Sequence, residues 1–300
     1  MMTRALFYKQ LNLGLNAVFG KQYKRFEELW RKLYDVETSS KAFEEEVMNV
    51  GLGLAGEKGE GAPVAYDQGA DSYVARYIHK TYALAFAITE EAEEDGLYGS
   101  LGARYARALA RSMQETKEII GHSVYNNAFS ASFPIGDGVA LLSTAHPLFG
   151  GGTLSNKLAT PADLSEAAIE DAAIQIGLWT DDRGLQLNLK PGKLVIPTAL
   201  QFVAYRLLES PFRTGTGDND VNAINRMGTI SETCVTPYLT DPDAWFMRVD
   251  VDDGMKHFVR KKIARGMEGD FETGNLRYKS RERYSFGTSD WRSLFGSEGG

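Results

Sequence analysis

Residues 51–63, Gly51-Leu52-Gly53-Leu54-Ala55-Gly56-Glu57-Lys58-Gly59-Glu60-Gly61-Ala62-Pro63, place five glycines in thirteen positions, and no other stretch limits the fold so strongly. Glycine loses the most backbone freedom on ordering and is a poor helix former, so this run reads as a loop. On its C-terminal side Tyr82, Leu84, Phe86 and Ile88 alternate with Thr81, Ala83, Ala85 and Ala87, the period of a strand. Together these predict an extended β-hairpin over 44–88 with a flexible tip. With half its residues in each arm it would reach about 60–70 Å at ~3.3 Å per residue. A compact chain of this length has a radius of gyration of only about 19 Å. Such an arm outruns its own body, and an uncovered strand edge invites pairing with another molecule.

The elements around the hairpin are conventional. Residues 4–35 read as two helical pieces broken near Gly20, with Phe26, Leu29, Trp30 and Leu33 at helical spacing in the second. A long helix follows over 97–129, where Leu101, Tyr105, Leu109, Met113, Thr116, Ile120 and Val124 step by threes and fours. At 1.5 Å per residue it would span ~45–50 Å, enough to act as a spine. The acids Glu90, Glu91, Glu93, Glu94 and Asp95 just ahead of it suit the positive end of a helix. Asp137-Gly138 reads as a turn into an apolar strand, Val139-Ala140-Leu141-Leu142. A helix is expected over 162–179, after Thr160-Pro161, then strands at 185–189 and 194–196 separated by Pro191-Gly192. A helix over 199–209 and a mainly β remainder from 227 onward complete a mixed α+β chain without repeat or linker.

Composition narrows the function. At 300 residues with 43% hydrophobic and 24% charged side chains, the chain can bury a substantial core. No stretch approaches the roughly 18 uncharged apolar residues of a membrane span, and the N-terminus lacks the pattern of a signal peptide. The formal charge of −7 argues against reading nucleic-acid sequence. Arg260-Lys261-Lys262 and the pair Arg281 and Arg283 are short clusters with acids nearby, and read as solvated faces. A lone cysteine, Cys234, suits a reducing compartment and reads as a small buried side chain.

Candidate chemistry fails on context. Gly51-Leu52-Gly53-Leu54-Ala55-Gly56 has the letters of a dinucleotide fingerprint, but Gly59, Gly61 and Pro63 leave no helix to hold a pyrophosphate. Ser143 and His146 lie three residues apart, without the glycine elbow that presents a nucleophilic serine. A soluble hydrolase built on this pair is one alternative. His79, His122, His146 and His257 are dispersed, which does not suit zinc. Residues 217–222, Gly217-Asp218-Asn219-Asp220-Val221-Asn222, lack the spacing of a calcium loop. No catalytic, cofactor or metal site is expected.

Several phrases in order resemble a known family: Ala140-Leu141-Leu142-Ser143-Thr144-Ala145-His146-Pro147, Leu154-Ser155-Asn156-Lys157-Leu158-Ala159, Ala162-Asp163-Leu164-Ser165-Glu166-Ala167-Ala168, Leu194-Val195-Ile196-Pro197, Asn219-Asp220-Val221-Asn222, Tyr238-Leu239-Thr240-Asp241-Pro242-Asp243-Ala244-Trp245-Phe246 and Glu282-Arg283-Tyr284-Ser285-Phe286-Gly287. From about residue 40 onward the chain is similar to the Mu-like major head subunits of tailed bacteriophages, which have the Hong Kong 97-type capsid fold. The resemblance implies an N-terminal arm at 1–43 and the extended loop at 44–88. It implies a peripheral domain with the spine helix at 89–134 and 246–300, and an axial domain at 135–245. It further implies a virion protein, assembled in the host cytoplasm, that forms hexamers and pentamers of an icosahedral head. Its partners would be copies of itself, a separate scaffolding protein (the arm being too short to include one), a portal and, without sequence reading, packaged DNA, with no membrane. Some relatives cross-link through lysine, and Lys58 lies at a loop tip, but nothing in the sequence identifies an acceptor. Candidate inter-subunit contacts are Leu52, Leu54, Lys58, Val64 and Tyr66 on the hairpin, and Trp291 and Phe295 in the aromatic C-terminal stretch. An encapsulin-type compartment shell, or a tail or decoration protein, are the other assembly readings.

Overall fold

In a computed structural model, which describes residues 4–61, 63–89, 91, 98–213, 220–270 and 274–300 (backbone alone for 4–10 and 98–100), the chain opens with helix α1 (Arg4–Tyr23) and a single turn, α2 (Trp30–Leu33). α1 runs unbroken through Gly20. A helical glycine costs only about 1 kcal/mol, which the burial of Leu15 and Phe19 outweighs. The break comes after Tyr23, and Phe26 of the expected stripe stays exposed. Strands β1 (Asp35–Thr38), β2 (Phe43–Val50), β3 (Ala70–Ile78) and β4 (Lys80–Ile88) follow, then the spine helix α3 (Tyr98–Asn126). Of the acidic run ahead of the spine only Glu91 lies among the described residues.

A small pair, β5 (His146–Pro147) and β6 (Thr153–Leu154), precedes helix α4 (Glu166–Gly177), whose N-terminus is capped by the Ser165 side chain. β7 (Pro191–Pro197), α5 (Gln201–Glu209), α6 (Ala223–Met227), β8 (Glu232–Thr236) and β9 (Trp245–Val249) come next. The long strands β10 (Met255–Gly269) and β11 (Leu276–Thr288) and the short β12 (Leu294–Ser297) complete the chain. Two four-stranded sheets organise these elements, one in the order β1-β10-β11-β4 and one in the order β12-β9-β7-β8. α1 and α3 cover one face of the first sheet, packing Leu15, Phe19, Leu109 and Met113 against Tyr278 of β11. Ala106 and Ala110, fully buried, let the two helices approach closely. α4 covers the second sheet through Ile169, Ala172 and Ile176, against Leu194, Ile196, Trp245 and Met247. A third cluster, including Tyr34, Tyr125, Val195, Phe246 and Leu294, joins the two halves.

The structure redraws several expectations. β4 is a strand, as its alternation requires, yet it pairs with β11 from Lys80↔Tyr284 to Ile88↔Leu276 and not with β2. Tyr82 and Phe86 hold it there, 4.7 Å from Tyr284 and 5.4 Å from Tyr278 between ring centroids. The hairpin is therefore β2 with β3, from Phe43↔Ile78 to Val50↔Ala70, a ladder of roughly 26 Å at ~3.3 Å per residue. Residues 139–142 form no strand; Leu141 and Leu142 are buried in a loop that Leu142 N–H fixes to the Ala128 carbonyl. The strand expected at 185–189 reduces to a single bridge, Thr180↔Gln186, because Asn188 turns to φ 51° and breaks the extended run. Pro191 opens β7 rather than a turn, a place where its missing N–H costs no ladder bond. β9 spans the boundary expected at 246, and it pairs with both β12 and β7 inside the second sheet.

Candidate assembly interface

The hairpin is fastened at its base and bare beyond it. Lys256 Nζ on β10 reaches Glu46 of β2 at 2.5 Å, and also Asp253 at 3.0 Å and Glu37 at 3.3 Å. Burial alone would lower the lysine pKa, and these carboxylates reverse that, so it stays charged and holds the strand. On β3 the Tyr77 hydroxyl lies 2.5 Å from the Ser289 hydroxyl, and the Tyr73 hydroxyl donates to the Ser289 carbonyl at 2.9 Å. The strand passes so close to β11 that a Cβ on Gly287 would sit 2.8 Å from the Tyr77 ring. Further out, Gly53 N–H donates to Asp67 Oδ2 at 2.8 Å, closing the neck of the loop, and Arg183 Nη2 donates to the Gln68 carbonyl at 2.8 Å.

At and beyond that neck the chain finds little of its own body to rest on. Leu52 is 58% exposed, Leu54 88%, Val64 63% and Tyr66 96%, and Lys58 is exposed between them. Four exposed apolar side chains over so short a stretch are the kind of surface that interaction sites ordinarily present. The structure adds residues that sequence reading passed over. On the outward face of the ladder Phe43, Val47, Val74 and Ile78 are exposed, with Arg76 stacked 4.1 Å from the Phe43 ring centroid. The alternation of β2 was the available signal, with Phe43, Glu45 and Val47 on one side and Glu44 and Glu46 on the other.

The two C-terminal candidates are different. Trp291 is 1% exposed and Phe295 0%, so both are already covered within the subunit. Trp291 lies edge-on to Trp179 at 5.5 Å, with His146 stacked on it at 4.5 Å, while Phe295 lies 6.4 Å from Trp245. Their hydrophobicity serves this chain's own core.

Geometry also disposes of the hydrolase arrangement. Asn156 Nδ2 donates to the carbonyls of Leu141, Trp291 and Leu294 at 2.7, 3.0 and 3.1 Å. Its Oδ1 therefore faces His146, accepting from Ser143 N–H at 2.8 Å and from His146 Nε2 at 3.0 Å. The other ring nitrogen lies 2.5 Å from Asp137 Oδ2. With both nitrogens engaged in a buried site, His146 cannot take a proton from Ser143, whose hydroxyl accepts from Ala145 N–H instead. The chain after Gly56 is not helical, which leaves the glycine fingerprint without an anion site. Burial raises the Cys234 thiol to about 11, the opposite of a reactive thiolate. Asn222 caps α6 and donates to the Leu207 and Ser210 carbonyls; residues 217–219 of the calcium candidate lie outside the described residues. Among the described residues no three His, Cys, Asp or Glu side chains could share a metal ion, and no helix is long and apolar enough to cross a membrane.

Comparison with known proteins agrees on the architecture. Residues 73–296 match the model of a family described as phage capsid protein. No curated protein sequence matches the chain significantly. Among solved structures, a virus-like particle from Pyrococcus furiosus aligns with TM-score 0.53 at 10% identity, covering 95% of this chain and 98% of that one. The capsid of Myoviridae phage XM1 aligns with TM-score 0.53 at 11% identity, covering 92% and 93%. A subunit of the procapsid of bacteriophage JBD30 aligns with TM-score 0.51 at 15% identity, covering 99% of this chain and 76% of that one. At such identities the likeness is one of fold, here the Hong Kong 97-type capsid fold.

Proposed function

The chain belongs to the phage capsid protein family, and from that premise we propose that it is the major head subunit of a tailed phage, forming hexamers and pentamers that close into an icosahedral shell around DNA. The observation that carries this reading is the hairpin, anchored at its base and exposed at its tip with Leu54 and Tyr66 almost wholly bare. A shell needs contacts that pass from each subunit to the next and close on themselves, and a protruding arm that docks on a neighbour supplies one.

In this reading α1 and the chain to residue 43 serve as the arm, and β2 with β3 as the extended loop. The first sheet with its spine helix forms the peripheral part. The second sheet with α4, α5 and α6 forms the axial part, which includes β9 and β12. Family membership supports the further partners that the sequence resemblance implies, a separate scaffolding protein and a portal. Negative-stain microscopy of the purified chain tests the proposal. Spheres or rings of capsomers are expected; a protein that stays monomeric at high concentration refutes it.

A further inference from the structure

The net charge of −7 is spread unevenly along the chain. Residues 4–25, which are α1 with Lys24 and Arg25, hold five cations and no acid. α3 adds Arg104, Arg107, Arg111 and Lys117 against two acids, Glu115 and Glu118. Together these segments carry +7, so the rest of the chain carries −14. The acidic run at 90–95 precedes the spine and belongs to neither helix. Charge separated in this way points to a polyanionic partner.

The fold brings these cations into one layer. α1 and α3 pack together through Leu15, Phe19, Ala106 and Ala110. Arg104, Arg107 and Arg111 step by three and four, so they share one side of α3, away from buried Ala106, Leu109, Ala110 and Met113. All three are exposed, and the row is about 10 Å long at 1.5 Å per residue. Lys21, Lys24 and Arg25 are exposed where α1 ends. None of the six forms an ion pair among the described residues. The acids nearby are engaged elsewhere. Glu118 is buried, and Glu115 accepts from the Tyr238 hydroxyl at 3.2 Å. Glu27 pairs with Lys32 at 2.8 Å and Glu28 with Arg31 at 2.6 Å. The exposed positions of the two helices also include Gly14, Ala17 and Ala108, whose small size lets another backbone come close.

We propose that the exposed face of the α1–α3 layer binds double-helical DNA through its phosphates, without reading sequence. Six free cations spread over an open surface suit an extended polyanion better than a single small anion. Each phosphate neutralised by lysine or arginine releases condensed counterions, the source of sequence-independent affinity. The setting rests on the shell reading, since a shell that encloses DNA would turn this face inward. The binding itself is a property of one subunit.

Fluorescence anisotropy of a labelled duplex with the dissociated full chain, over a range of salt, tests it. The triple variant Arg104→Gln, Arg107→Gln, Arg111→Gln is expected to bind about tenfold or more weakly at low salt. Its plot of log affinity against log salt is expected to be shallower by about 2–3. Lysine at the same three positions keeps the charge and is expected to retain most of the affinity. A matched control, Lys261→Gln, Lys279→Gln, Arg281→Gln, removes the same charge from β10 and β11 and is expected to bind like the parent. Unchanged urea midpoints show that the variants fold. A parent that does not bind DNA, or equal losses in both glutamine variants, overturns the proposal. If the first variant keeps full affinity but no longer assembles, the face meets protein instead, and the proposal falls. Shells are scored separately by microscopy: a parent that binds DNA as expected yet never assembles removes the shell reading and leaves the DNA surface standing.

Discussion

Glu118 sits on the spine with its side chain turned inward, accepting from Trp30 N–H at 3.0 Å, while its second oxygen finds no partner. Burial raises its pKa from 4.5 to about 7. The folded state then holds a proton that the unfolded chain has released, so its contribution is intact below about pH 4.5 and lost as pH climbs to 7. His122, one turn further on, acts in the opposite direction. Burial lowers it from 6.5 to about 4, and its contribution, present above about pH 6.5, is lost as pH falls to 4. Glu118→Gln removes only the first effect. The stability of the variant minus that of the parent is therefore expected to rise by roughly 2–3 kcal/mol between pH 4.5 and 7, measured by urea unfolding of the dissociated subunit. A difference that does not change with pH would contradict this account of the site. At this scale the sequence speaks through spacing: dispersed histidines and one cysteine do not offer the pattern of a metal site. It is silent on Asn156, whose amide joins three carbonyls distant in sequence, because nothing local distinguishes that asparagine from a loop residue.

The hairpin separates what periodicity can tell from what it cannot. Alternation at 81–88 identifies a strand and its two faces, but a period of two says nothing about which strand lies alongside. The choice between β2 and β11 is made by Tyr82 and Phe86 meeting Tyr284 and Tyr278, residues about 200 positions away. The spine helix is legible almost to its ends, because its three-and-four stepping runs for seven turns and needs no partner to be recognised. Since the tip beyond the Gly53–Asp67 neck contributes little to the body, deleting residues 54–66 is expected to leave the subunit soluble, with its unfolding midpoint shifted by no more than about 2–4 °C. The same deletion is expected to abolish shells, with calorimetry and microscopy read side by side. Normal shells from that variant would remove the hairpin from the assembly mechanism.

For the whole molecule, the C-terminal stretch shows what hydrophobicity leaves open. Phe286, Trp291 and Phe295 are apolar and late, and hydrophobicity alone cannot say whether such residues fill a neighbour's core or their own. The fold answers by bringing β12 back beside β9, so that Trp291 and Phe295 fill the second sheet's core next to Trp179 and Trp245. Trp291→Ala should therefore behave as a core deletion, costing about 3–5 kcal/mol out of a total that for most domains is about 5–15. A lower urea midpoint of the dissociated subunit is the expected outcome; an unchanged midpoint with lost assembly would restore the interface role. The return of β12 also governs timing during synthesis. Because the second sheet takes its end strand from 294–297, no copy can finish folding before that part has left the ribosome.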